Sequence, residues 1–269
     1  MHKRAQQAAL FGISLAMLLI TGCQTTSSSP VYKKDPEKAM QVRTQLAAEY
    51  LRNGDLDAAK RALDQALEHD ARDAQANMMM GILLQQEGSA SNLAKAESYF
   101  KRAISSDPDN AQARNNYGTY LYRLARYPEA IRQLSVAGAA LGYDQRAMAL
   151  ENLGRVYLNT QDLVNAEKSF KQALSVNRDS VIAMLELAEI FYLRQDNSLA
   201  TQMYAQFVQR VGQRNQSSRA LWLGLRIARA NADQTEMQVL ANQLRAMFPD
   251  SAEYQRYLQL QHSTEVIWK

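Results

Sequence analysis

The stretch Ala111-Gln-Ala-Arg-Asn-Asn-Tyr-Gly-Thr-Tyr-Leu121, followed by Arg126-Tyr-Pro-Glu-Ala130, Leu134 and Ala137, decides the fold of this chain. Counted from Ala111, Gly118 stands at position 8, Leu121 at 11, Ala130 at 20, Leu134 at 24 and Ala137 at 27 of a unit that closes at Asp144. Small residues at 8, 20 and 27, with large ones at 7, 11 and 24, describe two short helices lying against each other. Such helices approach closely only where Gly or Ala faces the partner, and large side chains fill the gaps around that contact. Pro128 falls just inside the predicted second helix, where its missing N–H is harmless.

Working outward, the same spacing returns along the chain. Residues 40–73 carry Ala47, Tyr50, Ala59, Leu63 and Ala66 at the matching positions, with Gly54 in the turn. Residues 74–110 carry Met80, Gly81, Leu84, Ala96, Phe100 and Ala103, with three extra residues assigned to a turn over 87–92. Residues 147–180 carry Leu153, Gly154, Tyr157, Ala166, Phe170 and Ala173. In 181–215 the pattern keeps Leu187, Ala188, Phe191, Ala200 and Tyr204, but Phe207 occupies a small-residue position. In 217–251 it keeps Leu223, Gly224 and Ile227, then loses register. Gly and Asn near the turns are read as helix stops. A 34-residue period with these residue classes is the tetratricopeptide pattern. The predicted fold is therefore all-α: a right-handed superhelical solenoid of about six repeats over residues 40–252. Residues 251–269 are read as a capping segment, because a solenoid end exposes apolar surface.

The N-terminal segment reads as an export signal over residues 1–22. Lys3 and Arg4 precede a short apolar run from Ala8 to Ile20, too short for a membrane span of about 20 residues. The run ends in Ile20-Thr21-Gly22-Cys23, which resembles the bacterial lipobox: an apolar residue, two small residues, then the cysteine that receives the lipid. Cys23 is the only cysteine in the chain, so it is the predicted lipidation site, and no intramolecular disulfide is possible. Gln24 rather than Asp follows it, which by resemblance to bacterial sorting rules implies the outer membrane, with the folded part on its periplasmic face. Residues 23–39 are read as the lipidated start and a polar tether, with a root-mean-square reach of roughly 20–24 Å.

Composition excludes several classes. The chain is 46% apolar and 22% charged, which suits a folded body. Its net charge is +4, and loss of Lys3 and Arg4 with the signal leaves +2, too balanced to imply a nucleic-acid partner. Only His2, His69 and His262 are available, and no metal, nucleophile–base or phosphate-loop motif occurs. No enzyme, cofactor or small-molecule substrate is expected. Glu186 and Glu189, one helical turn apart, are read as a solvated face.

In this repeat, positions 2, 5, 9, 12 and 13 of each first helix face the inner surface. In repeat two these include Met78, Ile82 and Gln85; in repeat three Asn115, Tyr122 and Arg123; in repeat four Arg155. These seven residues are the predicted partner-binding set, with Asn115 able to donate to and accept from a peptide backbone at once. Adaptable apolar groups mixed with amides suit an extended or helical peptide.

Three stretches carry a resemblance to a known family. Asn115-Asn-Tyr-Gly-Thr-Tyr-Leu121 with Arg126-Tyr-Pro-Glu-Ala130, Ala220-Leu-Trp-Leu-Gly-Leu-Arg-Ile-Ala-Arg229, and Phe248-Pro-Asp-Ser-Ala-Glu-Tyr254 resemble the type IV pilus biogenesis lipoproteins of the PilW/PilF family. The Trp222 segment is the most specific of them, since it lies where the generic pattern fades. The resemblance implies a pilotin: a lipoprotein that travels to the outer membrane and there supports assembly of the secretin, the ring pore through which the pilus exits. It implies the secretin subunit as partner, contacted through the early repeats, roughly residues 40–144, and attachment to the membrane through the N-terminal lipid. Two other readings stay open: an adaptor for outer-membrane protein assembly or for peptidoglycan hydrolases, and a cell-wall enzyme with a divergent catalytic set.

Overall fold

The computed structural model describes residues 35–263 and residue 268. The predicted signal, Cys23 and the tether up to residue 34 lie outside the described residues. Residues 40–269 form one compact unit; of the other, residues 1–39, only 35–39 are described.

Among the described residues there are thirteen α-helices and no strand. In chain order they are α1 (Pro36–Arg52), α2 (Leu56–His69), α3 (Ala74–Glu87), α4 (Ala90–Ser106), α5 (Ala111–Arg123) and α6 (Tyr127–Ala139). Then come α7 (Arg146–Asn159), α8 (Leu163–Val176), α9 (Val181–Leu193), α10 (Asn197–Val211), α11 (Ser218–Ala230), α12 (Gln234–Met247) and α13 (Ala252–Leu260). Successive helices pair across turns of a few residues, giving the all-α tetratricopeptide solenoid. Short polar residues start them: Asp73, Asn110, Asp162, Ser180 and Asp196 each accept a hydrogen bond from a main-chain N–H three residues on. That satisfies a donor which the first helical turn would otherwise leave open.

Close approach within the middle repeats depends on glycine. A Cβ added at Gly81 would lie 2.9 Å from the Phe100 ring, at Gly118 2.6 Å from Leu134, and at Gly154 2.7 Å from the Phe170 ring. In each case the large residue comes from the second helix of the same repeat. Ala103, Ala137 and Ala173, the small residues one turn on, are fully buried.

Three expectations about local structure need correction. The extra residues of repeat two do not lengthen its turn. Gly88, in the left-handed region at φ 75°, and Ser89, whose hydroxyl caps the next helix, make a tight connection. The surplus extends α4 to 17 residues. In the inter-helix turns of repeats three to six the left-handed position is not Gly or Asn, although Asn231 caps α11 in repeat six. Ala125, Gln161, Gln195 and Ala232 hold the left-handed position there, at φ 55–61°. The short turn and its main-chain bonds impose that conformation, at a cost of about 1–2 kcal/mol for a residue with a Cβ. Gln161→Gly should therefore stabilise the fold by about 0.5–1 kcal/mol despite glycine's greater freedom when unfolded. A higher urea midpoint with an unchanged slope would show it, and an equal or lower midpoint would refute it.

The third correction concerns repeat six. Gly224, at the small-residue position of its first helix, is met first by the preceding repeat. A Cβ there would overlap the hydroxyl of Tyr204, from α10 of the preceding repeat. Tyr204 Oη donates to Gln216 Oε1 at 2.6 Å, and its ring stacks on Phe207 at 6.1 Å. The bulky Phe207 thus finds room where the regular pattern demands a small residue. In exchange, α11 meets α12 through Leu221 and Leu225, which pack with Leu240, Ala241 and Leu244. Every residue from Leu221 to Ala228 is buried. Tyr254, Tyr257 and Leu260 of α13 pack on this same cluster.

Candidate functional site

The first helices α3, α5 and α7 present the predicted partner-binding residues, and the structure sorts them into two groups. Met78 belongs to the core. It is fully buried, packs with Met80, Leu83 and Ala113, and its sulfur sits 3.3 Å from Asn116 Nδ2. The expectation that Met78 is free for a partner is corrected: the neighbouring repeat covers it. Asn115 is likewise only 2% exposed, and its Oδ1 accepts from Asn152 Nδ2 at 3.1 Å. Its amide is therefore engaged inside the solenoid rather than waiting for a peptide backbone.

The other residues lie nearer the surface. Ile82 and Tyr122 are half-buried against the core, Gln85 and Arg155 are part-exposed, and Arg123 is exposed. A polar ladder ties α5 to α7. Asn152 Oδ1 accepts from Arg155 Nη1 at 3.3 Å, and Asn159 Nδ2 donates to Tyr122 Oη at 2.8 Å. So Asn115 and Arg155 meet through Asn152, Tyr122 meets Asn159, and Met78, Ile82, Gln85 and Arg123 lie outside these bonds. The sequence reading left out Asn152; an amide at position 6, repeated at Asn116 in the repeat before, was its available signal. Towards α1, a cavity of about 280 Å³ opens between Gln41, Thr44, Gln45, Ala48, Asp73 and Gln75. Three glutamine amides on its wall offer donors and acceptors at intervals along the groove, which is what an extended main chain needs.

Comparison with known proteins gives this surface a context. The family model for the tetratricopeptide repeat matches residues 44–91, 87–140 and 151–215. The type IV pilus assembly protein PilF of Pseudomonas aeruginosa is 33% identical over 240 residues, covering 88% of this chain and 93% of that protein. The chain belongs to the PilF/PilW family of type IV pilus biogenesis proteins. A solved structure of P. aeruginosa PilF superposes with a TM-score of 0.77 at 33% identity, covering 84% of this chain and 99% of that one. A crystal structure of PilW, described as a widely conserved type IV pilus biogenesis factor, superposes with a TM-score of 0.71 at 28% identity, covering 82% and 99%.

Two charge clusters brace this PilF/PilW-family solenoid. On α4, Glu97 accepts from Arg126 Nη1 at 2.8 Å, Lys101 Nζ at 2.8 Å and Tyr117 Oη at 3.0 Å. Glu167, at the same place on α8, pairs with Lys171 and with Arg194 of the following repeat. The strut recurs because a second-helix carboxylate at position 21 lies beside the inter-helix turn of the next repeat. The Arg126 hydrogen bond, helped by Lys101 and Tyr117 against the cost of burial, holds the Glu97 carboxyl at about 2 instead of 4.5. A depressed carboxyl pKa contributes stability above the ordinary value, and that contribution is lost as pH falls from about 4.5 towards 2. A fifth of the Glu97 side chain stays in solvent and screens the pair, so the loss should be about 2 kcal/mol. Glu97→Gln should flatten the pH dependence of unfolding between pH 5 and 2 (about 2 kcal/mol less change); parallel profiles for the two proteins would refute it.

The second cluster corrects the reading of Glu186 and Glu189 as a solvated face. Glu186 is buried and receives both terminal nitrogens of Arg219 at 2.7 Å. Glu189 accepts from Arg219 Nη2 at 2.8 Å and from Arg226 Nη2 at 2.7 Å. Burial alone would raise the Glu189 carboxyl, but Arg226 and Arg219 reverse the sign and hold it below its usual range. Both arginines come from α11, about 30 residues further along the chain, so periodicity within α9 alone carried no sign of them.

Proposed function

We propose that this chain is an outer-membrane lipoprotein that acts as a pilotin, supporting assembly of the type IV pilus secretin through the inner face of its early repeats. The observation that carries the reading is similarity to PilF along nearly the whole chain, joined to the lipobox at Cys23. Lipidation would hold the solenoid at the membrane, and the part-exposed residues of α3, α5 and α7 would contact the secretin subunit. Met78 and Asn115 leave the proposed contact set, because packing already occupies them. Ile82, Gln85, Tyr122, Arg123 and Arg155 remain in it.

Two variants test the reading. Cys23→Ser should remove palmitate labelling and shift the protein to the soluble periplasmic fraction, or leave it unprocessed. Persistent labelling would refute lipidation at Cys23. A joint Gln85→Ala, Arg123→Ala and Arg155→Ala variant touches no core residue, so it should stay folded and anchored. Real hot spots cost about 2 kcal/mol or more each, so secretin binding should weaken at least tenfold, with loss of heat-resistant secretin multimers and of twitching. Normal multimers with the variant at wild-type level would place the contact elsewhere.

A further inference from the structure

Trp268, one residue before the end of the sequence, is held by its main chain as well as by its ring. It lies eight positions beyond the end of α13, yet it is only 1% exposed. Side chains of the inner face hold its main chain. Trp268 N donates to Tyr192 Oη at 2.9 Å. Trp268 O accepts from Tyr192 Oη at 3.3 Å and from Arg226 Nη1 at 3.3 Å. Its ring stacks on Trp222 at 5.8 Å and 12°, with the Arg229 guanidinium 4.4 Å from the ring centre. Tyr192 and Arg229 stand at positions 12 and 13 of repeats five and six, which face the groove in this repeat. Side-chain donors and acceptors on the main chain, with an aromatic slot for one residue, are how a groove grips an extended peptide.

We propose that the inner face of repeats five and six is a peptide-binding site for an aromatic residue in an extended segment, and that the chain's own Trp268 occupies it. The fit is incomplete. The indole Nε1 of Trp268 and the Nε of Arg226 are buried without a partner. A competing segment with a phenyl ring in the slot would bury no unsatisfied indole N–H, and an acceptor beside that ring would serve Arg226. The external partner is therefore an aromatic-bearing peptide that must displace the tail. The short connection from α13 gives the tail an effective concentration in the millimolar range, so a free peptide competes poorly until the tail is removed. This site is separate from the early-repeat surface proposed for the secretin and stands or falls independently of it.

The probe is a fluorescently labelled peptide of residues 263–269, added to the full chain. Against the Trp268→Ala protein it should bind saturably, at least tenfold tighter than to wild type. A peptide with Phe in place of Trp268 should compete at least as well, and one with Ala should not. Equal binding to wild type and variant, or no discrimination between the Phe and Ala peptides, would overturn the proposal. Should Trp268→Ala lose helical content, the slot is read instead from unfolding of Tyr192→Phe, which removes the hydroxyl that bonds Trp268 but keeps the ring. Trp222 and Trp268 are the only two tryptophans, so their fluorescence reports the slot directly. In Tyr192→Phe the tryptophan signal should change at lower urea than the far-ultraviolet helical signal. Coincident transitions in both proteins would make Trp268 a core residue and end the proposal.

Discussion

Gly118→Leu should destabilise the protein by about 3 kcal/mol or more, with the damage centred on repeats two to four. Even Gly118→Ala should be destabilising, although alanine gains about 1 kcal/mol over glycine inside an exposed helix. The reason is local. An added Cβ would lie 2.6 Å from Leu134 Cγ, 2.9 Å from Leu134 Cδ2 and 3.3 Å from the Leu134 main-chain nitrogen. Rotating the leucine relieves the first two contacts but not the third, so α5 and α6 must separate. Overpacking of this kind costs about 1–3 kcal/mol, and the larger side chain adds to it. Leu134→Ala should remove most of the penalty of Gly118→Ala, because the two residues share one contact. Because solenoid repeats contact mainly their neighbours, hydrogen exchange should rise first in α5 and α6. Thermal unfolding of Gly118→Ala equal to wild type would mean the helix pair is less close than described.

Arg226→Ala should cost about 3–5 kcal/mol. Arg226 is only 4% exposed and faces the rings of Tyr192 and Trp222 at 5.0 and 5.5 Å. Removing it takes one of two cations from Glu189, and truncating one member of a buried pair leaves the other's charge poorly compensated. The remaining bond from Arg219 should keep the effect near the lower end of that range. Glu189→Gln added to Arg226→Ala should recover part of the loss, since it removes the charge left behind. Denaturant unfolding of the three proteins measures this. A loss under 1 kcal/mol for the arginine variant, or no recovery in the double variant, would show that the charges are solvated after all.

The sequence alone was enough for the repeat. Gly118 with Leu134, and Gly154 with Phe170, stand sixteen residues apart in one chain segment, and their partnership needs only two helices and a short turn. Local spacing therefore carries the pairing, and with it the solenoid. The inner surface was only partly legible. Position within a helix indicates which way Met78 and Asn115 point, but not whether a neighbouring repeat covers them. Asn116 and Asn152 do so from the next repeats, 38 and 37 residues away. The departures at the C-terminal end were hidden for the same reason. Gly224 is met by Tyr204 of the preceding repeat, a contact set by packing between repeats. Glu186 and Glu189 meet Arg219 and Arg226, and Trp268 reaches Tyr192 across 76 residues, through contacts that no periodicity encodes. The helices and their pairing followed from interactions within one repeat, which sequence spacing records. Which polar groups are covered, which charges meet and which groove the tail enters followed from contacts between repeats, and these exist only once the chain has stacked.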